Sequence, residues 1–234
     1  MLTCDQIVAR LESLADDDVI LQKEKKFGIK GTNMLGIYHR DLNALVKEIG
    51  KNSTLALALY DSGIYEARLL TAKIFKPKDL TTSHMEEWIT IFNNWEICDT
   101  FCMAVFSRSE LAIPKIHEWA SREPEFEKRA SFATLAGLCS SDKKSGNALF
   151  EATFPLIYQA APDDRLYVKK AVSWALRSIG KRNRDLQKSA IAVANELHTM
   201  PYKSAQWIAN DVLKELQQEN VRMSDYPRAI YRPS

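Results

Sequence analysis

The chain has 234 residues, with 32 basic against 30 acidic side chains and a formal net charge of +2. That length suits one large domain, or a run of repeats behaving as one, and eight glycines with eight prolines leave little room for the many turns of an all-β protein. Near-balanced charge excludes a protein coated all over in cations, so a nucleic-acid surface has to come from local clustering.

Taken in chain order, apolar residues recur at helical spacing through 3–14, 17–27, 38–49, 54–60, 64–75, 83–92, 95–106, 110–120, 124–139, 147–160, 163–179, 185–198 and 203–218. No strand alternation competes. The first 18 residues lack the basic start and long apolar stretch of a signal peptide, and no apolar run approaches the ~20 residues of a membrane span. Asp16 to Asp18 place carboxylates at a helix start, and Asn52 to Thr54 offer caps. Ser83-His84-Met85-Glu86 has capping-box spacing, and Gly50 fits a helix stop. Residues 1–220 are expected to form a single domain. The short basic tail 221–234, which bears prolines, is expected to run along the surface or fray.

Several chemistries are excluded. His39, His84, His117 and His198 are scattered without metal-ligand spacing, so no metal and no cofactor is expected. The stretch "GIKGTNMLG" lacks the Gly-Lys-Ser/Thr of a phosphate loop, and no Gly-x-Ser-x-Gly elbow occurs. Cys4, Cys98, Cys102 and Cys139 form no Cys-x-x-Cys pair, which points to a reducing, cytoplasmic compartment. Cys98 and Cys102 are expected to pack in the core, and Trp88, Trp119 and Trp207 likewise.

Internal repetition organises the rest. "YEARLLTAKIF" from Tyr65, "FEKRASFATLA" from Phe126 and "YVKKAVSWALR" from Tyr167 share an aromatic-x-x-basic start followed by small or apolar residues. "WEICDTFCMAVF" from Trp95 is a fourth candidate. Starts spaced by roughly 30–40 residues fit two-helix HEAT-like units. The expected fold is therefore all-α, a curved α-solenoid of HEAT-like two-helix repeats. The shared slot holds Arg68, Arg129 and Lys170, a basic stripe that suits phosphates, or else cations that pair with acids of neighbouring repeats. Four residues beyond it come Ala72, Ala133 and then Trp174, whose helical neighbours Lys170 and Arg177 point to a wet, basic surface. Lys169, Lys181 and Arg182 extend that cluster. In the Trp95 repeat, Asp99 stands either in the basic slot or in an apolar one, and both registers make it the exception among the repeats.

These motifs carry a resemblance. "NNWEICD", "EFEKRASFATLAGL" and "YVKKAVSWALRSIGKRN", in that order, together with "LGIYHRDLNALVKEIG" and "LYDSGIYEARLL", resemble the AlkD-like DNA alkylation repair family from about Phe27 to Leu197. The resemblance implies HEAT-like repeats that wrap duplex DNA and, in active members, glycosylases excising positively charged alkylpurines, chiefly 3-methyladenine and 7-methylguanine. It implies a Trp-Asp-Arg-Trp site, matched here by Trp95, Asp99, Arg129 and Trp174. It also implies a mode in which the lesion's backbone meets the protein and the base need not enter a tight pocket. Some glycosylases of the family carry a tyrosine where Phe27 stands, so a supporting hydroxyl is missing here.

The chemistry fits these residue types. Alkylation at N7 or N3 makes the purine a cationic leaving group, so the enzyme's main task is to stabilise an oxocarbenium-like sugar. A carboxylate does this and can orient water, the role expected of Asp99. The faces of Trp95 and Trp174 attract a charged sugar more than a neutral one. Arg129, Arg68, Lys169, Lys170, Arg177, Lys181 and Arg182 are expected to hold phosphates. The expected protein is a monomeric glycosylase on duplex DNA containing alkylated bases, cytoplasmic and nucleoid-associated when bound. The alternatives are a non-catalytic HEAT-like protein for damaged or branched DNA, and a protein-interaction scaffold.

Overall fold

The computed structural model describes residues 2–232; Met1, and Pro233 and Ser234 of the expected tail, lie outside them. The regular structure of the described residues is all helical, without a strand, as the periodicity predicts. They fall into two compact units, Met1–Ser109 and Glu110–Ser234.

The first unit runs α1 (Cys4–Glu12), α2 (Asp17–Phe27), α3 (His39–Ile49), α4 (Ser53–Asp61), α5 (Tyr65–Ile74), α6 (Thr82–Ile89) and α7 (Trp95–Ala104). Single 3-10 turns follow α5 and α7. Starts and stops follow side-chain chemistry. Asp16 accepts from the amides of Asp18 and Val19 at the head of α2, and Asn52 caps α4. Gly50 closes α3 at φ 72°. The capping box of α6 is Thr81 with His84 rather than the expected one from Ser83, which lies inside the helix. Both residues offer a hydroxyl, but only Thr81 has the extended backbone that an N-cap needs. The core centres on Trp88, fully buried, with the rings of Phe75 and Phe101 each 5.1 Å away and Tyr60 at 5.8 Å.

The second unit runs α8 (Ala112–Trp119), α9 (Glu125–Ser141), α10 (Asn147–Glu151), α11 (Phe154–Ala160), α12 (Leu166–Gly180), α13 (Arg184–Thr199), α14 (Lys203–Leu216) and α15 (Arg228–Tyr231). The helix expected over 147–160 is broken, because Pro155 sits in the first turn of α11 and cannot donate to a continuing ladder. Every residue of α9 from Arg129 to Cys139 is buried, so this helix is the unit's centre, with α8 and α12 packed on it. Its Ala130, Ala133, Ala136 and Gly137 let those neighbours approach closely. Trp119 is fully buried, as expected. Trp207 is not: it is 37% exposed, with the Lys169 ammonium 5.5 Å from its ring centroid. The described part of the tail is tied down. The Ser224 and Tyr226 amides donate to the carbonyls of Lys181 and Arg182, and Asn183 Nδ2 donates to the Tyr226 carbonyl at 2.7 Å. No described helix is long and apolar enough to cross a membrane.

One loop of the first unit positions the site. The Asp16 amide donates to the Leu35 carbonyl at 2.8 Å. Fully buried Glu66 accepts from the amides of Leu35, Gly36 and Ile37 at 2.8, 2.9 and 3.3 Å. Gly36 has φ 77°, and a Cβ there would lie 2.0 Å from the Asp16 carbonyl oxygen. Gly50 has a similar φ with nothing within 4 Å. Gly50→Ala therefore carries only a conformational cost of about 1–3 kcal/mol. Gly36→Ala adds a backbone clash, and urea denaturation should show it clearly less stable than Gly50→Ala.

Candidate functional site

The head of α7 is built on Asn94, whose Oδ1 accepts from the amides of Glu96 and Ile97 at 2.9 and 3.2 Å and whose Nδ2 donates to the Lys30 carbonyl. Glu96, 4% exposed, then draws in three other segments. Lys23 Nζ of α2 lies 3.0 and 3.1 Å from its two oxygens, and His39 Nε2 of α3 lies 2.9 Å from Oε1. The Tyr65 hydroxyl of α5 is 2.9 Å from Glu96 Oε2 and 3.0 Å from Asn94 Oδ1, and its single proton serves one of them. Burial pushes the Glu96 carboxyl up. The His39 hydrogen bond, the Lys23 charge and hydrogen bond, and the Tyr65 hydroxyl together outweigh it and hold the group at about 2. Burial and the Glu96 carboxylate push the Tyr65 phenol up.

Trp95, half-buried beside Glu96, is fixed by this arrangement. Its indole N–H donates to the Phe27 carbonyl at 2.9 Å. Trp95 forms one wall of a cleft of about 450 Å³ whose other walls include Val19, Gln22, Phe27, Ile29, Tyr38 and Arg40. Asp99, one turn further along α7 and half-buried, shares a helix face with Trp95. Cys98 and Cys102 lie in the core, as expected. Arg68 of α5 is half-buried, with its guanidinium 5.2 Å from the Tyr60 ring centroid and a buried Nε without a hydrogen-bond partner.

In the second unit, Trp174 is half-buried on α12 and Lys170 is exposed. Arg182 does not fit the phosphate contact expected of it. It is 1% exposed, donates to the carbonyls of Cys139, Asp142 and Ser145, and lies 3.7 Å over the Phe150 ring centroid. The guanidinium closes the carbonyl-rich end of α9, which water would otherwise have to satisfy. Arg129 is also buried, at 6% exposed, and donates to the Tyr167 carbonyl at 2.7 Å. Arg177 pairs with Asp211 at 3.3 Å and with Glu215, and Lys181 donates to Glu215 at 2.6 Å. So two members of the expected cationic wall, Arg177 on α12 and Lys181 just past its end, are ion-paired to α14. Among its expected members, Lys170 is exposed and Lys169 is half-buried against Trp207.

Sequence reasoning missed the Lys23–Glu96–His39–Tyr65 network and the cleft. Lys23 and Glu96 are 73 positions apart, and no local pattern links them. The one available signal was Glu96 itself, a carboxylate in the otherwise apolar head of "WEICDTFC".

A family model described as DNA alkylation repair enzyme matches residues 7–220. No curated protein matches the chain. A solved structure, described as "a new family of proteins related to the HEAT-like repeat DNA glycosylases with affinity for branched DNA structures", superposes with a TM-score of 0.78. It is 17% identical, and the match covers 95% of this chain and 98% of that one. The likeness identifies the fold as HEAT-like helical repeats.

Because Glu96 is held below the ordinary carboxylate value of 4.5, it contributes stability that is present above that pH and lost as pH falls toward about 2. Glu96→Gln should reduce stability at neutral pH by on the order of 3 kcal/mol. Urea denaturation at several pH values should show that difference shrinking between about pH 4.5 and pH 2.

Proposed function

The chain belongs to the DNA alkylation repair enzyme family, whose model spans residues 7–220, and from that premise we propose that it is a DNA glycosylase releasing 3-methyladenine and 7-methylguanine from duplex DNA. The observation supporting this reading is the Trp95–Asp99 pair on one face of α7, with the indole tethered at the wall of an open cleft. Asp99 stabilises the cationic sugar as the glycosidic bond breaks and orients the water that adds to C1′. The purine leaves neutral, carrying the bond's electron pair, and needs no general acid. The Trp95 face adds attraction that grows as the sugar gains charge.

For the second unit we propose that Trp174 serves the charged sugar and that Lys170 and Lys169 meet phosphates. Arg129 acts through Tyr167, whose carbonyl it holds at the head of α12. Arg177 and Lys181 would reach phosphates only by exchanging their partners on α14. We propose likewise that the protein is cytoplasmic, joins the nucleoid when bound to DNA, and acts as a monomer that needs no metal or cofactor.

A second reading has its own support. The solved structure of the same fold is described as having affinity for branched DNA, and a non-catalytic binder of branched or damaged DNA would retain the cleft and the cations but not depend on Asp99.

Single-turnover release of 7-methylguanine and 3-methyladenine from methylated duplex DNA separates the two. Wild-type release with a loss of about 10²-fold or more in Asp99→Asn, at unchanged DNA affinity, is the expected result. Tight, salt-sensitive binding with no release by the wild type favours the second reading. Lys170→Ala should weaken binding and reduce the salt dependence by about one counterion.

A further inference from the structure

Phe27 and Tyr38 are among the most exposed large hydrophobic residues of the first unit, at 55% and 47%. They stand at the two ends of one loop. Phe27 ends α2, where Gly28 turns the chain at φ 64°, and Tyr38 precedes α3 without making a side-chain cap. Within the loop, Ile29, two residues after Phe27, and Ile37, one residue before Tyr38, are buried. The loop is held from below by Glu66 and closed over Gly36. Thus two exposed aromatic rings are carried on a fixed backbone, and both line the same cleft as Trp95. Trp95 is itself bonded to the Phe27 carbonyl.

The charge of the lining is specific too. Its one carboxylate, Glu96, is already matched by Lys23 and His39. Arg40 adds a cation whose side chain is 84% exposed, with only a surface pair to Asp41. Lys25 and Lys26, in the last turn of α2, are exposed beside Phe27. Aromatic faces from three separate elements, with cations at the rim and no unmatched acid, form the combination that binds unpaired nucleotides. The base stacks on rings while the backbone meets the cations.

We propose that this cleft is a stacking site for one unpaired base of DNA, supplied by a bulge, a flap or a strand end. It rests on the DNA-binding part of the function proposed above and not on base excision. Phe27 and Tyr38 provide the ring contacts, Arg40 meets a flanking phosphate, and Gln22 and His39 add hydrogen-bonding groups that tolerate different base edges. The site gives the protein a preference for locally unpaired DNA over a continuous duplex. It also gives Phe27 a use that needs no hydroxyl.

The test uses two duplexes of one sequence, one fully paired and one carrying a single bulged 2-aminopurine, whose fluorescence falls on stacking. The wild type should bind the bulged duplex on the order of ten-fold more tightly and quench its fluorescence. Phe27→Ala/Tyr38→Ala should lose the quench and the preference while binding the paired duplex within about two-fold of wild type. Tyr38→Phe, which keeps the ring, should retain both, and matching thermal melts confirm that the variants fold. Equal wild-type affinity for the two duplexes, or a quench that survives in the double variant, overturns the stacking site and leaves the DNA-binding reading standing. Absence of affinity for either duplex overturns both.

Discussion

A carboxylate sealed from water survives as an anion only if its surroundings replace the solvation it lost. Glu96 meets that condition through Lys23, His39 and the Tyr65 hydroxyl, which together reach into α2, α3 and α5. Much of the first unit's functional geometry depends on it. The residue before Glu96 is Trp95, and the end of the helix that carries Lys23 is Phe27, whose carbonyl receives the indole N–H. One buried charge therefore sets the spacing between the two sides of the cleft. Glu66 does the same for the loop between them, using backbone amides rather than cations.

The second unit shows cations in a different use. Arg182 and Arg129 satisfy carbonyls inside the unit, and Arg177 and Lys181 join α12 to α14. A guanidinium suits this role because its five donors can reach several carbonyls while its flat face lies on a ring, as Arg182 does on Phe150. Such residues set where α12 runs and hence where Trp174 and Lys170 stand. In this unit the basic stretch from Tyr167 to Arg184 is as much a fastening as a surface.

Helical content was legible because an all-α chain repeats one pattern, and the edges of α2, α3 and α4 follow from Asp16, Gly50 and Asn52. The break before α11 was missed because apolar periodicity continues across Pro155. Trp95 and Asp99 were legible as a motif within one helix. Lys23 and Tyr65 were not, since their roles exist only once distant helices pack. The fate of each arginine was likewise hidden. Arg182 and Lys170 look alike in sequence, yet burial separates them, because one follows the end of α12 and the other sits on its outer face. Trp207 inverted the expectation for the same reason: its helix has an exposed side, and the indole lies on it.

The central claim is that the Glu96 charge holds the cleft walls and Trp95 in place. Hydrogen–deuterium exchange at neutral pH, comparing wild type with Glu96→Gln, tests it most directly. Loss of the charge should make exchange about ten-fold faster or more across residues 23–39 and at the head of α7, with residues 166–180 unchanged. Equal protection across residues 23–39 in the two proteins would contradict it.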